Sequence, residues 1–236
     1  MSPLARSSFA VSSFLPVLLP CTVLLLFGVV AATAHAGWEQ DGGVICYAAH
    51  SQLEPVTVAD GAGGFIVVWR DTRDGPGSDL YAQRVDAEGA ALWPAGEVAV
   101  CAASGDQEGH AAVADGAGGV YVAWSDHRGG SDWDVYAQHL DAGGQALWDG
   151  NGIPLAAAAF DQNWPVMIAD GQGGVIIAWN DLRNHDLGTG LDIYAQRLAA
   201  DGTALWPAGG VAVVGAESGQ RNPALLADGR SEERRV

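Results

Sequence analysis

Three short motifs carry the charged side chains that could do chemistry: Asp71-Thr-Arg73, Asp126-His-Arg128 and Asp181-Leu-Arg183. A carboxylate and a guanidinium two residues apart suit either carboxylate binding or a fixed ion pair. The three copies stand 55 residues apart and match one another. A catalytic constellation is asymmetric, whereas a residue needed in every copy serves the copy itself. The spacing therefore predicts a structural role for Asp71, Arg73, Asp126, Arg128, Asp181 and Arg183, with each pair fastening a loop through the guanidinium or reaching an Asp79-type neighbour. A second carboxylate recurs in Asp60-Gly-Ala-Gly-Gly64 and at Asp115 and Asp170. Calcium needs about six to eight oxygens, and one carboxylate per turn with no closing glutamate falls short of that. An Asx-type turn is the expectation there, and no cofactor or metal is expected elsewhere. Metalloprotease, Cys-x-x-Cys, Gly-x-Ser-x-Gly and phosphate-loop patterns do not occur, so no catalytic residue is assigned. What stands apart from the repeat is a set of ligand-face candidates: Trp133, Trp164, His127, His185 and Arg221. The first two are the only tryptophans without an equivalent in another copy. Aromatic side chains on loops suit sugar or protein recognition.

The elements that must position these residues follow from the repeat itself. Trp69, Trp124 and Trp179 are spaced by 55 and 55; Tyr81, Tyr136 and Tyr194, like Trp93, Trp148 and Trp206, are spaced by 55 and 58. The three additional residues fall between Trp179 and Tyr194, which marks a loop. Each copy carries four strand-sized blocks. The first is short (residues 55–59), and a glycine turn leads to the second, Phe65-Ile-Val-Val-Trp69. That block is apolar at every position, so both of its faces must be covered. A polar loop leads to the third block, residues 80–85. A second turn leads to the fourth, expected around Leu92-Trp93 and extending through residues 98–102. Gln83, Gln138 and Gln196 are expected to hydrogen-bond a neighbouring strand. Four antiparallel strands in a unit of this size, stacked face to face, describe an all-β fold of β-propeller-type blades in tandem. Three units and partial ends are too few for a closed ring, so the ring is expected to be incomplete and the chain truncated.

The first 36 residues read as an export signal: Arg6, an apolar run, then Ala34-His-Ala36 before Gly37. The expected division is a leader at 1–36, then repeats over 37–229. These comprise partial 37–56, units 57–111, 112–166 and 167–224, and partial 225–229. A non-native, adapter-like tail is expected at 230–236. The chain opens in a fourth-strand block and breaks off after a first strand, so further blades are expected beyond it. Export would place the protein outside the cell or on its surface, with no membrane span once the leader is cleaved. The formal net charge is −17, there is no lysine, and all 11 basic residues are arginine. Such a surface repels phosphate backbones, which excludes nucleic acid as a partner. Cys46 and Cys101 sit at equivalent positions where later copies carry Ala156 and Val214, which predicts small buried residues, not a disulfide or metal ligands.

At Trp69-Arg-Asp-Thr-Arg73, Asp79-Leu-Tyr81 and residues 86–93, and at their equivalents in the next two copies, the chain resembles the Asp-box (BNR) repeats of sialidase-like propellers. The resemblance covers residues 38–229 and implies the propeller architecture. It departs from the family's Ser-x-Asp-x-Gly-x-Thr-Trp box in lacking the serine and in a longer stretch before the tryptophan, and no Arg-Ile-Pro segment occurs. The expected function is a binding or structural module for an extracellular glycan or protein, recognised by the variable loops. Two alternatives stand beside it: a sialidase-like glycoside hydrolase with its catalytic residues elsewhere, and an adhesion or display segment.

Overall fold

The computed structural model describes residues 41–93, 97–185, 190–214 and 219–227. The expected leader and the 230–236 tail lie outside them. Twelve strands follow in order. The first blade comprises β1 (Gln52–Ala59), β2 (Phe65–Asp71), β3 (Asp79–Val85) and β4 (Val98–Cys101). The second comprises β5 (Gln107–Ala114), β6 (Val120–Asp126), β7 (Asp134–Leu140) and β8 (Ile153–Ala156). The third comprises β9 (Gln162–Ala169), β10 (Val175–Asp181), β11 (Asp192–Leu198) and β12 (Val211–Val214). Each blade is a four-stranded antiparallel meander in sequence order, and the three sheets do not close into a ring. Among the described residues no helix is long and apolar enough to cross a membrane.

The doubly apolar second strands lie in the middle of this stack. All seven residues of β6 are buried. Because alternate side chains of a strand point to opposite faces, Val122 and Trp124 pack with Ile66, Val68 and Leu80 of the first blade. Tyr121 and Ala123 pack the other way, against Val175, Ile177 and Trp179 of the third. Each fully buried Val, Leu or Ile of this kind contributes about 1.5–3 kcal/mol. The stack of like sheets, not any one sheet, is therefore the core.

The glycine turns are Asx turns, as expected. Oδ1 of Asp60 accepts from Ala62 N at 2.8 Å and Gly64 N at 2.9 Å, and Asp115 and Asp170 repeat the arrangement. Glycine is required at the last turn position. A Cβ on Gly64, Gly119 or Gly174 would stand 2.1–2.2 Å from the carbonyl oxygen ending the third strand.

Two expectations are corrected. The fourth strand is Val98–Cys101, within the expected 98–102 stretch, whereas the Leu92-Trp93 segment where it was expected to begin contributes only the Val85–Ala91 bridge. Trp93 instead points along the blade seam, where its Nε1 donates to Ala142 O of the next blade at 3.0 Å. Gln83, Gln138 and Gln196 do not bond a neighbouring strand side to side. Their Oε1 atoms accept from the backbone N of Trp93, Trp148 and Trp206, and so fix the connection that follows within the same blade. Beyond the third blade, residues 219–227 run where a first strand runs. Gln220 N donates to Leu191 O at 2.6 Å, as Gln107 does to Ser78 and Gln162 to Trp133. At the other end Arg73 Nη2 lies 3.3 Å from Cys46 Sγ, as Arg128 does from Cys101.

Candidate functional site

Near its start each first strand carries a bulge, where the register shifts between Leu53 and Val56, between Glu108 and Ala111, and opposite Ala178 and Asn180. The bulged residue takes left-handed backbone every time: Glu54 (φ 54°), Gly109 (φ 59°) and Trp164 (φ 53°), with Asn222 (φ 60°) at the equivalent place in residues 219–227. A non-glycine residue held there costs about 1–3 kcal/mol, and such strain and such bulges concentrate at functional sites. The four residues line one cavity of about 410 Å³ together with His110. A second cavity, of about 330 Å³, is lined by Asn163, Trp164, Asn180, Arg221 and Asn222.

Trp164 is a wall of both cavities and is 56% exposed. Its backbone N donates to Ser125 Oγ at 3.0 Å. A Cβ on Gly109 would stand 3.0 Å from its Cε3, so the glycine lets the indole lie close on the second blade. Arg70 spans two blades, with Nη2 3.3 Å from Glu54 Oε1 and Nη1 3.1 Å from Glu108 Oε2. His110 is buried, and Nε2 lies 3.3 Å from Val68 O, while Nδ1 has no partner among the described residues. Burial holds its imidazole below the ordinary value, against the pull of Val68 O and Glu54, so the ring is neutral near pH 7. Arg70, Arg73, Arg84, Arg128, Arg183 and Arg197 are all ion-paired. Arg221 has no carboxylate partner among the described residues. Asn180 is buried, and its Oδ1 accepts from Asn222 N at 3.1 Å.

These positions break the repeat. One place in the unit holds Leu53, Glu108, Asn163 and Arg221 in turn; the next holds Glu54, Gly109, Trp164 and Asn222; the end of the second strand holds Arg70, Ser125 and Asn180. Where neighbouring positions repeat almost unchanged, the variety is a mark of recognition. Comparing the copies for positions that differ, not for those that agree, would have found Glu54, Arg70, Glu108, His110 and Asn180 in the sequence.

Of the sequence candidates, Trp164 and Arg221 come together in this site. Trp164 does so from a strand and not from a loop, since β9 begins at Gln162. His127 and Trp133 instead pair with each other, ring centroids 4.9 Å apart, and His185 pairs with Phe160 at 5.6 Å. Neither pair lines the two cavities.

The repeated Asp and Arg residues form a tie inside each blade. Trp69, Trp124 and Trp179 donate Nε1 to Asp71, Asp126 and Asp181 at 3.0, 2.7 and 2.8 Å. Arg73, Arg128 and Arg183 bind the same carboxylates at 2.6, 2.6 and 2.5 Å, and lie 4.0, 3.8 and 3.9 Å from the ring centroids of Tyr81, Tyr136 and Tyr194. Burial would raise the Asp71 carboxyl, but Arg73 and Trp69 hold it below the usual carboxylate range. The partner is the aspartate two residues back, not the Asp79-type residue.

Fold and site together describe an all-β chain of propeller-like blades with an asymmetric cleft where the first strands of the blades converge. No protein-family model and no curated protein sequence matches the chain. Among solved structures it is similar to an endo-1,4-beta-xylanase from Bacteroides thetaiotaomicron, at 11% identity and a TM-score of 0.44, covering 70% of this chain and 61% of that one. It is similar to a levansucrase of B. megaterium at 12% identity and a TM-score of 0.39, covering 70% and 55%. A Bacteroides ovatus xyloglucan PUL GH43B protein matches at 16% identity and a TM-score of 0.33, covering 65% and 28%. The chain thus spans under two thirds of the length of each of these three proteins.

Proposed function

We propose that this chain is an exported binding module that takes a carbohydrate in the cleft around Trp164 and does not cleave it. The observation that carries the reading is the exposed Trp164 indole, held in strained backbone and bordered by Asn163, Asn180, Arg221 and Asn222. Sugars offer an apolar C–H face to an aromatic ring and hydroxyls to amide and guanidinium donors, and that is the pairing of groups present. A non-catalytic role is supported by the carboxylates nearest the cleft. Glu54 and Glu108 share the Arg70 guanidinium, and the carboxylates of the repeat are spent on blade ties and turns. The Trp-x-Asp-x-Arg pattern supports reading the unit as a divergent Asp-box repeat.

The test is titration calorimetry against a panel of soluble polysaccharides, with released reducing ends assayed in parallel. Trp164→Ala is expected to weaken the best ligand about tenfold or more, equivalent to about 1.4 kcal/mol, while Trp133→Ala binds as the parent does. Equal binding by Trp164→Ala would sink the assignment of the cleft. Release of reducing ends that Glu54→Gln or Glu108→Gln abolishes would replace it with a hydrolase.

A further inference from the structure

A basic side chain at one place in the third strand pairs with the turn aspartate in all three blades, and in the first two it also reaches the next blade. In the first blade Arg84 binds Asp60 Oδ2 through Nε at 3.0 Å and Nη2 at 2.9 Å, and sends Nη1 to Ala142 O of the next blade at 3.2 Å. In the third blade Arg197 Nε binds Asp170 Oδ2 at 2.8 Å. The second blade has His139 in that place. Its Nε2 lies 3.0 Å from Asp115 Oδ2 and its Nδ1 3.3 Å from Ala200 O of the third blade. Both ring nitrogens thus face atoms that only accept. A neutral imidazole has one N–H and one lone pair, so it would turn that lone pair on a carboxylate or a carbonyl. Only the imidazolium donates to both.

We propose that His139 is a proton-dependent latch on the seam between the second and third blades, closed while the ring is doubly protonated. The ring is buried at 5% exposure, so water does not substitute for a lost partner. It stacks on Tyr121 with centroids 4.0 Å apart and meets the Trp148 edge at 5.8 Å. Ala200 O also accepts from Trp148 Nε1 at 3.0 Å, so the latch and the tryptophan seam share one acceptor. The other titratable groups facing the ring are Asp115 and Tyr121, with the Asp170–Arg197 pair of the third blade close by. Burial holds the Tyr121 phenol up at about 12, so it stays neutral throughout. Burial would raise Asp115, but His139 and the Ala117 and Gly119 N–H groups hold it below the usual carboxylate range. The latch therefore lacks one of its two donors whenever the ring carries a single proton, and it loses strength on the acid side as Asp115 gains a proton.

The experiment is nitrogen NMR of the His139 ring across pH, with hydrogen exchange of the Trp148 indole N–H followed over the same range. Two protonated ring nitrogens are expected while the seam is closed. Once the base catalysis that any exposed indole N–H shows is divided out, seam opening should accelerate on raising the pH, by at most about tenfold per unit for one proton. His139→Arg, the residue the other blades use, should make the corrected rate free of that dependence. A singly protonated ring in the closed seam, or an unchanged corrected profile in His139→Arg, overturns the proposal. If the variant does not fold, the ring nitrogens of the parent protein still decide.

Discussion

At the scale of single residues, the carboxylates divide by what surrounds them. Asp126 is fully buried but surrounded by donors: Trp124 Nε1, Arg128 N and two guanidinium nitrogens. Arginine suits this place where lysine would not, because its planar fork donates in the plane of the carboxylate while its face rests on Tyr136. Asp134, at the start of the next strand, has no such company. Burial first, then the charges of Asp132 and Asp126, push its carboxyl up to about 6, only partly offset by Arg128. Its folded value lies above its unfolded one, so protonation favours the fold. The contribution is full in acid and is lost as pH rises to about 6 and beyond. Asp134→Asn should therefore leave stability near pH 4 unchanged and raise it at pH 7.5 by about 1 kcal/mol, discounted for the group's partial exposure. Urea unfolding at the two pH values checks this. An Asn variant less stable at pH 7.5 would mean that Asp134 makes a contact worth more than its repulsions.

At the scale of elements, most of the architecture was legible because the same physical demand is written three times. A strand apolar on both faces, a turn that excludes Cβ, and an aromatic residue at a fixed offset each fixed one feature. The fourth strand starts at Val98 and not at Leu92-Trp93, because apolar content marks burial, not pairing. Trp93 is buried in the seam between blades, while Val98–Cys101 carries the ladder. The cleft was only partly legible, for the opposite reason. Left-handed backbone at Glu54 and Trp164 has no residue-type signal, since only Gly109 of the three shows a side chain chosen for it. Trp164 and Arg221 were found as exceptions to the repeat, but Arg70, Glu108 and His110 were hidden inside strands that otherwise align. The seam supports a comparison between copies. Trp93 and Trp148 each donate to the next blade and are 3% and 8% exposed, whereas Trp206 is half-buried and packs against the small Ala178, Ile193 and Ala195 cluster of its own blade. Trp148→Ala should cost about 3–5 kcal/mol. Trp206→Ala should cost about 1 kcal/mol, in the range of partly exposed sites. Equal costs, measured by denaturant unfolding with unchanged m-value, would show that the seam tryptophans act within their own blades.

At the scale of the whole molecule, the middle blade packs against the first on one side and against the third on the other, so stability should be distributed as in a one-dimensional stack. The middle blade has two partners and the outer blades have one each. Burial follows that order. Every residue of β6 is buried, β1 alternates between exposed and half-buried, and β12 leaves Val213 and Val214 59% and 41% exposed where Val100 and Cys101 of β4 are fully buried. The net charge of −17 adds a repulsion that every blade feels and that salt screens, so it shifts the whole profile without reordering it. Opening a segment exposes its backbone in proportion to the contacts it gives up. Amide hydrogen exchange should therefore be slowest in β6 and β7, and fastest in β12. The protection factors of the two ends of this range should differ by at least about a hundredfold. Added salt should slow exchange in all strands together. Should β12 exchange as slowly as β6, the stack would not be the source of cohesion, and each four-stranded sheet would have to be stable in its own right.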